Sequence, residues 1–555
     1  MTIDPKQSVV YGRRWWILIS ISFGIMAIIL SSSMVNIALP TLQRQFDSTM
    51  SELQWIINAY MLPFAGLMLL MGTIGDRLGH RGLFAAGLLV FAGGNVGAYF
   101  AGSATLLIVW RAVMGVGAAM ILPATLAIVT NIFPDEERGQ AIGVWAGLNS
   151  LGIALGPIIG GALVDGFSWQ AIFFVNIPVG LVSIILTLIL LPASGGNSAR
   201  RLDVAGTLVA TLSITAIVFG LIQGGDWGWR HPAVIATLSG GAAGMVLFVL
   251  VERRAAEPLL ELRLFRDRRL TAGIVSVFVM SLALVGITFL LSLFMQFVRG
   301  YTALQTGLRL LPLAGGIFMG AGSADKLVKQ FGTRNVMASG FVGTAAIAAA
   351  ISFVGVGTAY WLLALAYFGL GFFLGYIAAP ATDAIMAAAP KDRSGVVSST
   401  NSVAKTVAGA IGVALLGALL SSIYSSRFAE GAAALGAGLP PELAGPASES
   451  VGAAVIIAEQ LPEAVGAPML NLAQSSFMSG WQVLALVSCG LSIAGALYVL
   501  VAMPRNVHDQ RSEEAEPSTD GEAARAAVRP AASPAKGLGG AAELATPRSG
   551  HTVLE

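Results

Sequence analysis

The sequence predicts an all-α polytopic membrane protein with fourteen transmembrane helices. Apolar runs of about 20 residues recur along most of the chain, and each is long enough to cross a bilayer. Charged residues make up only 11% of the 555 residues, against roughly 25% in an average soluble domain. Too little charge is therefore left to solvate a water-exposed surface. Because only a helix satisfies every backbone hydrogen-bonding group inside such a run, we expect helical spans.

The candidate spans follow one another with mostly short connections. Their approximate ranges are 15–39, 53–74, 82–101, 104–132, 139–163, 170–192, 203–222, 232–251, 270–298, 303–324, 336–357, 359–383, 394–422 and 476–503. If the N-terminus lies in the cytoplasm, the only Lys and Arg residues in the outer loops are Arg44, Arg230, Arg299 and Arg427. The cytoplasmic segments hold most other basic residues, as the positive-inside rule requires. We predict a multi-pass protein of the cell inner membrane with both termini in the cytoplasm.

An internal repeat divides the spans into groups of six, two and six. The stretch GTIGDRLGHRG (72–82) follows the second span, and GSADKLVKQFGTR (322–334) follows the tenth. Each places an acid–base pair, then a glycine and a basic residue, in a cytoplasmic loop. The same signal after the second helix of each half indicates two duplicated six-helix bundles. The alternative is two unrelated loops that each need charge and a turn.

The repeat assigns each part of the chain to a region. The regions are a cytoplasmic N-terminus (1–14), a first bundle (15–192), two inserted helices (203–251), a second bundle (270–503) that includes an outer loop (423–475), and a cytoplasmic tail (504–555). The outer loop is rich in Ala, Gly, Pro and Glu. The tail is polar and rich in Ala, Pro and Glu, a composition that predicts disorder.

The fifth span contains the stretch GIALGPIIGG (152–161). Gly152, Gly156 and Gly160 recur every four residues and so share one face of a helix. In lipid, small residues let helix backbones approach closely. Pro157 removes one backbone hydrogen bond and invites a bend. Together with Gly161, these residues predict a flat, bendable helix at the sliding interface between the two bundles; the alternative is a generic small-residue packing seam.

Basic residues inside the spans are candidates for function. Arg111 lies within the fourth span, where an arginine costs roughly 2.5–3.5 kcal/mol on insertion scales, so it should face a cavity or a partner. The alternative is snorkelling to the outer interface. Lys405 lies near the middle of the thirteenth span, and Arg309 lies in the outer half of the tenth. Acidic residues are nearly absent from the membrane core. A cavity bordered by positive charge predicts a preference for neutral or weakly acidic compounds; alternatively, Asp383 neutralises Lys405.

Polar residues supply two further groups of candidates. At the cytoplasmic face, charge pairs that form in only one conformation would bias a two-state equilibrium; the candidates are Asp76, Arg77, Arg81 and Asp325. The alternative for Arg81 is a simple positive-inside anchor. Within the spans, uncharged polar residues are candidates for lining a substrate cavity, or else for helix–helix hydrogen bonds. They are Ser31, Asn36, Asn58, Tyr60, Asn149 and Asn401.

These motifs, in this order, resemble those of the major facilitator superfamily, most of all the fourteen-helix drug:proton antiporters of the EmrB/QacA type. The resemblance covers roughly residues 12–505. Besides the loop signature and the helix-5 motif, it includes WRAVMGVGAA (110–119), IFFVNIPVG (172–180) and PLLELRLFRDRR (258–269). It implies a role for Arg111 in proton coupling. One departure stands out, because LSSSMVNIALP (30–40) places Ser31 where the family usually has an acid.

The predicted function is therefore proton-gradient-driven efflux of small, partly apolar compounds such as drugs or antibiotics. The expected partners are a small-molecule substrate, protons and the lipid bilayer, with no nucleic acid, and we expect a monomer. No cofactor, metal site or catalytic residue is expected, and Cys489 is the only cysteine. The chain lacks phosphate-cradling and nucleophile motifs, which argues against an enzyme. Alternatives are an importer or facilitator of a metabolite on the same fold and, less favoured, a non-transporting membrane sensor.

Overall fold

A computed structural model describes residues 9–191, 203–255, 262–389, 394–435 and 441–505. These residues are almost entirely helical, and no β-strand occurs among them. The contacts divide the chain into residues 1–507 and 508–555, and every described residue belongs to the first unit. Most of the predicted tail, 504–555, lies outside the described residues, as do residues 1–8 of the predicted N-terminal segment.

Fourteen long helices run through the described residues, and we number them α1 to α14. They are α1 (Arg14–Phe46), α2 (Met50–Leu78), α3 (His80–Tyr99), α4 (Ala104–Ile132), α5 (Asp135–Gly166), α6 (Asn176–Leu190), α7 (Val204–Trp227), α8 (Pro232–Arg254), α9 (Arg268–Leu293), α10 (Leu311–Phe331), α11 (Thr333–Ile351), α12 (Tyr360–Ala387), α13 (Ser394–Leu435) and α14 (Glu463–Ala502). A short helix, Ala171–Phe174, precedes α6, and a π-helical turn, Phe294–Val298, extends α9. Thirteen of the fourteen regions are long and apolar enough to cross a membrane.

The exception is α10, because the helix predicted to run without a break over 303–324 is interrupted at Leu310. A short helix, Ala303–Arg309, stops before Leu310, and α10 begins at Leu311. Pro312 lies in the first turn of α10. Because proline has no backbone N–H, it cannot carry the hydrogen-bond ladder across from the preceding helix. The last turns of α10 also carry charged residues that lower its hydropathy.

The segment predicted as an outer loop, 423–475, is largely helical where it is described. The helix α13 continues to Leu435, and α14 already begins at Glu463. Two shorter helices, Pro441–Glu449 and Val451–Gln460, lie between them. The segment is rich in alanine, which has the highest helix propensity of any residue. We call the end of the molecule that carries these helices the outer end, following the charge prediction.

The long helices pack as two groups with a pair between them. In the N-terminal half (α1–α6), α4 packs against α2 and α3, and α1 packs against α5 and α6. In the C-terminal half (α9–α14), α12 packs against α10 and α11, and α13 packs against α9 and α14. The inserted helix α7 contacts α2 and α13, which also contact each other, and α8 packs on α7. The inserted pair therefore lies beside one junction of the two halves.

Glycines bring α10 and α12 into backbone contact. A Cβ added at Gly316 would clash with the carbonyl oxygen of Phe368, and one at Gly371 would clash with that of Leu313. The two glycines lie on opposite helices, so each backbone fits against a site with no side chain. Small residues make such close approach possible in a membrane, where tight packing replaces the hydrophobic effect as the force between helices.

Candidate functional site

The glycines Gly152, Gly156 and Gly160 of α5 face α1. A Cβ placed at Gly152 would lie 3.1 Å from Ile29 Cγ2, and one at Gly160 would lie 2.9 Å from Met34 Cα. A Cβ at Gly156 would clash with the side chain of Ser33. The glycine stripe is therefore a tight seam inside the N-terminal half. The three glycines therefore pack within their own half, and the prediction that they face the opposite half is wrong.

A second face of α5 meets the C-terminal half. A Cβ at Gly161 would lie 2.5 Å from the carbonyl oxygen of Ala303 and 2.6 Å from Leu304 Cα. In the other direction, a Cβ at Gly307 would clash with the carbonyl oxygen of Pro157. The short helix Ala303–Arg309 thus lies directly against the backbone of α5. Within the motif, residues 157 and 161 contact the C-terminal half, whereas the three spaced glycines do not.

Further contacts join the halves at the outer end. Gln296 Nε2, in the π-helical turn after α9, donates a hydrogen bond to the carbonyl oxygen of Ile37 at 2.9 Å. Gln43 Nε2 donates to Ser450 Oγ at 2.7 Å, which links α1 to the outer helices. These links place the outer ends of α1 and α5 against the C-terminal half. The structure is therefore closed at its outer end.

Arg111 lies in the interior of the N-terminal half and does not snorkel. Its side chain is 1% exposed. Its Nε donates a hydrogen bond to the carbonyl oxygen of Ile56 at 2.9 Å, and its Cζ lies 4.3 Å from the centroid of the Tyr60 ring. A Cβ at Gly115 would clash with the Tyr60 carbonyl, so glycine there brings α4 against α2. Arg111 Nη1 has no hydrogen-bond partner among the described residues.

Predicted cavity residues of α1 and α2 are buried, and some of their polar atoms have no hydrogen-bond partner among the described residues. Asn58 is 0% exposed, and neither its Oδ1 nor its Nδ2 has a hydrogen-bond partner in the described part of the chain. Ser31 is 1% exposed, and its Oγ also lacks a described partner. Tyr60 donates to the carbonyl oxygen of Ile28 at 3.4 Å. Unsatisfied buried polar atoms are unusual in native proteins and indicate water or a ligand.

The remaining cavity candidates differ in their surroundings. Asn36, Asn149 and Lys405 are half-buried, whereas Asn401 is 6% exposed. Lys405 has no ion pair among the described residues, Asp383 included. Lys405 therefore remains a candidate for contact with substrate.

Arg309 lies at the outer end, between two tyrosines. Its Cζ is 3.9 Å from the ring centroid of Tyr301 and 5.3 Å from that of Tyr360. The Tyr360 hydroxyl donates to the Arg309 carbonyl oxygen at 3.2 Å. Outside the membrane-spanning segments, a hydrogen bond from Arg299 lowers the pKa of Tyr301. Arg309 therefore packs between two aromatic rings at the end of its short helix.

The charged residues at the inner end make contacts both within one helix and between helices. His80 Nε2 lies 3.2 Å from Asp76 Oδ1, between α3 and α2. Arg81 Nη2 donates to the carbonyl oxygen of Leu188 at 2.8 Å, near the end of α6. Arg77 is exposed. In the repeat, Asp325 Oδ2 accepts a hydrogen bond from Lys329 at 2.7 Å within α10 itself.

Sequence reasoning missed one ion pair at the inner end. Arg14 Nε donates to Glu137 Oε2 at 2.7 Å, and the Tyr11 hydroxyl donates to Glu137 Oε1 at 2.8 Å. The pair joins the start of α1 to the start of α5. No motif marks these residues, and Glu137 had been assigned to a connection. Only the packing of α1 on α5 brings them together.

No site for a metal emerges from the described residues. Among them, no three His, Cys, Asp or Glu side chains are grouped to hold a metal ion. A small apolar cavity lies inside the C-terminal half, where Tyr367 and Trp481 line it with aliphatic side chains. All the residues that line this cavity belong to helices of the C-terminal half.

Two helical halves in contact at one end, with a buried arginine and unsatisfied polar groups in the membrane interior, define a multi-pass membrane transporter. The chain belongs to the Major Facilitator Superfamily, whose family profile matches residues 21–413. As a member of this superfamily it is a transport protein, and it is similar to relatives whose names record drug resistance and export.

Two relatives illustrate the similarity. The tetracenomycin C resistance and export protein of Streptomyces glaucescens is 31% identical over 496 residues, which cover 88% of this chain and 91% of the relative. The multidrug resistance protein Stp of Mycobacterium tuberculosis is 32% identical over 518 residues, 90% of this chain and 94% of the relative. Among solved structures, an inward-facing bacterial homologue of the human lysosomal transporter Spinster superposes with a TM-score of 0.57 at 16% identity. That match covers 89% of this chain and 98% of the other, and it shows the shared fold.

Proposed function

We propose that this chain exports small, partly apolar compounds from a bacterial cell in exchange for protons. It acts as a monomer in the inner membrane, with both termini in the cytoplasm. The names of the relatives, which record tetracenomycin C export and multidrug resistance, support the outward direction and the drug-like cargo. The distribution of basic residues along the sequence supports the orientation.

The observation that carries proton coupling is the burial of Arg111. A guanidinium is always charged in proteins, and here one of its nitrogens has no described hydrogen-bond partner. An acid that approaches a fixed cation holds its proton less tightly than one in water. A helix movement that changes this distance therefore converts a conformational change into proton uptake or release. The described Asp and Glu residues of α1 to α14 lie near helix ends, so we propose that acids there carry the proton.

The substrate reaches the region between the halves from the inner end in this scheme. The outer contacts of α1 and α5 with the C-terminal half hold the exit closed while the substrate binds. When those contacts break, the substrate leaves to the outside. Ser31, Asn58 and Lys405 supply polar groups along the way, and lipid-facing apolar surfaces keep the two halves in the bilayer.

Proteoliposomes that contain a pH-sensitive dye test the proposal. An imposed gradient of an exported fluorescent drug should drive proton movement in the opposite direction, and an uncoupler should abolish drug accumulation against its gradient. The Arg111→Leu variant should lose both effects. The matched control is Arg427→Gln, because Arg427 forms an exposed ion pair with Glu430. Drug export that persists unchanged in the presence of the uncoupler would contradict proton coupling, and net drug uptake driven by the gradient would favour an importer.

A further inference from the structure

Asp165 at the end of α5 binds the backbone of the opposite half. Its Oδ1 accepts a hydrogen bond from the backbone N–H of Ala303 at 3.2 Å, and its Oδ2 accepts one from that of Leu304 at 2.9 Å. Both donors belong to the first turn of the short helix Ala303–Arg309. One carboxylate from the N-terminal half thus holds two adjacent amides of the C-terminal half.

These amides are groups that the short helix cannot satisfy by itself. The first N–H groups of any helix lack partners within the helix. Thr302 Oγ1 accepts from the third of them, the backbone N–H of Gln305, at 3.3 Å. The first two are satisfied by Asp165 alone among the hydrogen bonds we describe. The start of this helix is therefore completed across the interface between the halves.

Asp165 continues the face of α5 that already meets the C-terminal half. Pro157, Gly161 and Asp165 recur every four residues and share one face of the helix. Gly161 brings the α5 backbone against Ala303 and Leu304, and this close approach places the carboxylate within reach of their amides. The interface thus combines backbone packing with a charged hydrogen-bond acceptor at its outer edge.

We propose that Asp165 is the latch of the outer gate: a positioning residue that holds α5 to the short helix Ala303–Arg309 when the outer end is closed. The inference rests on the alternating-access part of the proposed function, and not on proton coupling. Hydrogen bonds to a carboxylate are stronger than those between neutral groups. Asp165 is nevertheless exposed, so water replaces both bonds when the halves separate. The two hydrogen bonds to Asp165 therefore stabilise the closed outer end and can still break in each transport cycle.

Distances between spin labels on the two halves test the latch directly. Gly102 in the N-terminal half and Gly357 in the C-terminal half are exposed, and a Cβ at either position meets nothing within 4 Å. Both are replaced by cysteine and labelled in a Cys489→Ser background, and distances are measured in lipid nanodiscs. The variants are Asp165→Ala, Asp165→Asn and Asp165→Glu. The matched control is Glu52→Gln, because Glu52 accepts from Thr49 N–H at 3.0 Å within its own half.

The Asp165→Ala variant should raise the ratio of long to short distances about tenfold, the effect expected from losing hydrogen bonds to a charged group at a partly hydrated site. Asp165→Asn should show a smaller increase because its amide accepts only at the oxygen, and Asp165→Glu should recover part of the closed population. Turnover in the Ala variant should fall with substrate affinity unchanged, whereas Glu52→Gln should leave the distances unchanged.

A distance distribution in Asp165→Ala equal to that of the parent protein would overturn the latch. If the Ala variant fails to assemble, the Asn variant decides in the same way, because it keeps the volume of the side chain. The distances need neither a drug nor a proton gradient. If the distances behave as expected but the protein shows no proton coupling, the proposed function is contradicted and the role of Asp165 is not.

Discussion

At the scale of single residues, arginine suits position 111 because its planar guanidinium can donate a hydrogen bond and stack on a ring at once. The hydrogen bond to Ile56 and the stacking on Tyr60 use both properties. A lysine ammonium is a compact, strongly hydrated charge and would lose the planar contact. At position 405 the chain does carry a lysine, on α13, where no described ion pair neutralises it. The two cations therefore lie in different surroundings.

The Lys405→Gln variant tests the charge preference of the transporter. Fixed positive charge in a low dielectric repels cations over several ångströms, so the parent protein should export an anionic dye better than a cationic dye of matched size. We expect Lys405→Gln to lower export of the anionic dye about tenfold and to raise or leave unchanged that of the cation, as the loss of roughly 1.4 kcal/mol would do.

Initial efflux rates from inside-out vesicles provide the measurement for this pair of dyes. Arg299→Gln is the control, because Arg299 is a basic residue near the outer end of α9. Better export of the cation by the parent protein, together with no change in Lys405→Gln, would refute the preference for acidic or neutral cargo.

The raised pKa of Glu449 predicts that closure of the outer end depends on pH. Burial, and then the nearby charges of Asp226 and Asp47, raise the pKa of Glu449 in this closed structure. A raised pKa means that the closed state binds the proton more tightly than a state in which these acids separate. The stabilisation is present at low external pH and is lost as the pH rises through the raised pKa.

The labelled pair at Gly102 and Gly357 should therefore show a larger closed population at acidic than at neutral external pH. In Glu449→Gln the closed population should be large at both pH values, because the glutamine is neutral throughout. If the distances respond to pH equally in the parent protein and in Glu449→Gln, the titrating group is not Glu449 and the prediction is wrong.

At the scale of helices, α5 combines two interfaces on two of its faces. Gly152, Gly156 and Gly160 pack on α1, and Pro157 and Gly161 pack on the short helix of the opposite half. The first interface lies within the N-terminal half, and the second is the one that separates in the proposed transport cycle. Because both faces lack large side chains, a small shift of α5 changes both interfaces together.

The Gly156→Leu variant should abolish export, with at least a tenfold loss of rate, while the protein still inserts into the membrane. Leucine would meet Ser33 of α1, and overpacking of this kind costs roughly 1–3 kcal/mol. Drug efflux at matched expression is the measurement. The control is Gly143→Leu on the same helix, where a Cβ meets nothing within 4 Å. Full export by a well-expressed Gly156→Leu protein would show that the seam tolerates separation.

At the scale of the whole molecule, the inserted helices bridge the two halves at one side. The helix α7 contacts both α2 and α13, and Gly225 of α7 packs against Ala418 of α13. Any movement of the halves must therefore carry α7 along with one of them or slide past it. The outer helices between α13 and α14 add a second bridge, through Ser450 to α1. These contacts hold the outer end closed, and they are the contacts that would have to break for it to open.

Topology is the prediction that belongs to the whole molecule. The Ser448→Cys variant should react with a membrane-impermeant maleimide from the outside, and Ser518→Cys only after the cells are opened, both in a Cys489-free background. An even number of spans places the two termini on the same side, and the positive-inside rule assigns that side to the cytoplasm. Labelling of both positions from one side of the membrane would refute fourteen spans.

The sequence by itself determined that this is a helical membrane protein, because apolar runs of bilayer length leave the backbone no other structure. The family was indicated by the resemblance of its motifs, and not by the apolar runs. It also identified the α5 motif and Arg111, because glycines and charges are conspicuous inside apolar spans. It did not reveal the break at Leu310 or the helices within 423–475. There, local turn chemistry and helix propensity compete within a segment that lacks a clear apolar period.

Only the tertiary structure decided which neighbour each face of α5 meets. Helical periodicity places Gly156 and Gly161 on different faces, yet it says nothing about what lies opposite them. The structure places Ser33 of the same half against the first and Ala303 of the other half against the second. Asp165 gained its role in the same way: its partners are backbone amides distant in sequence, which leave no mark in the pattern of side chains and become partners only when the two halves pack together.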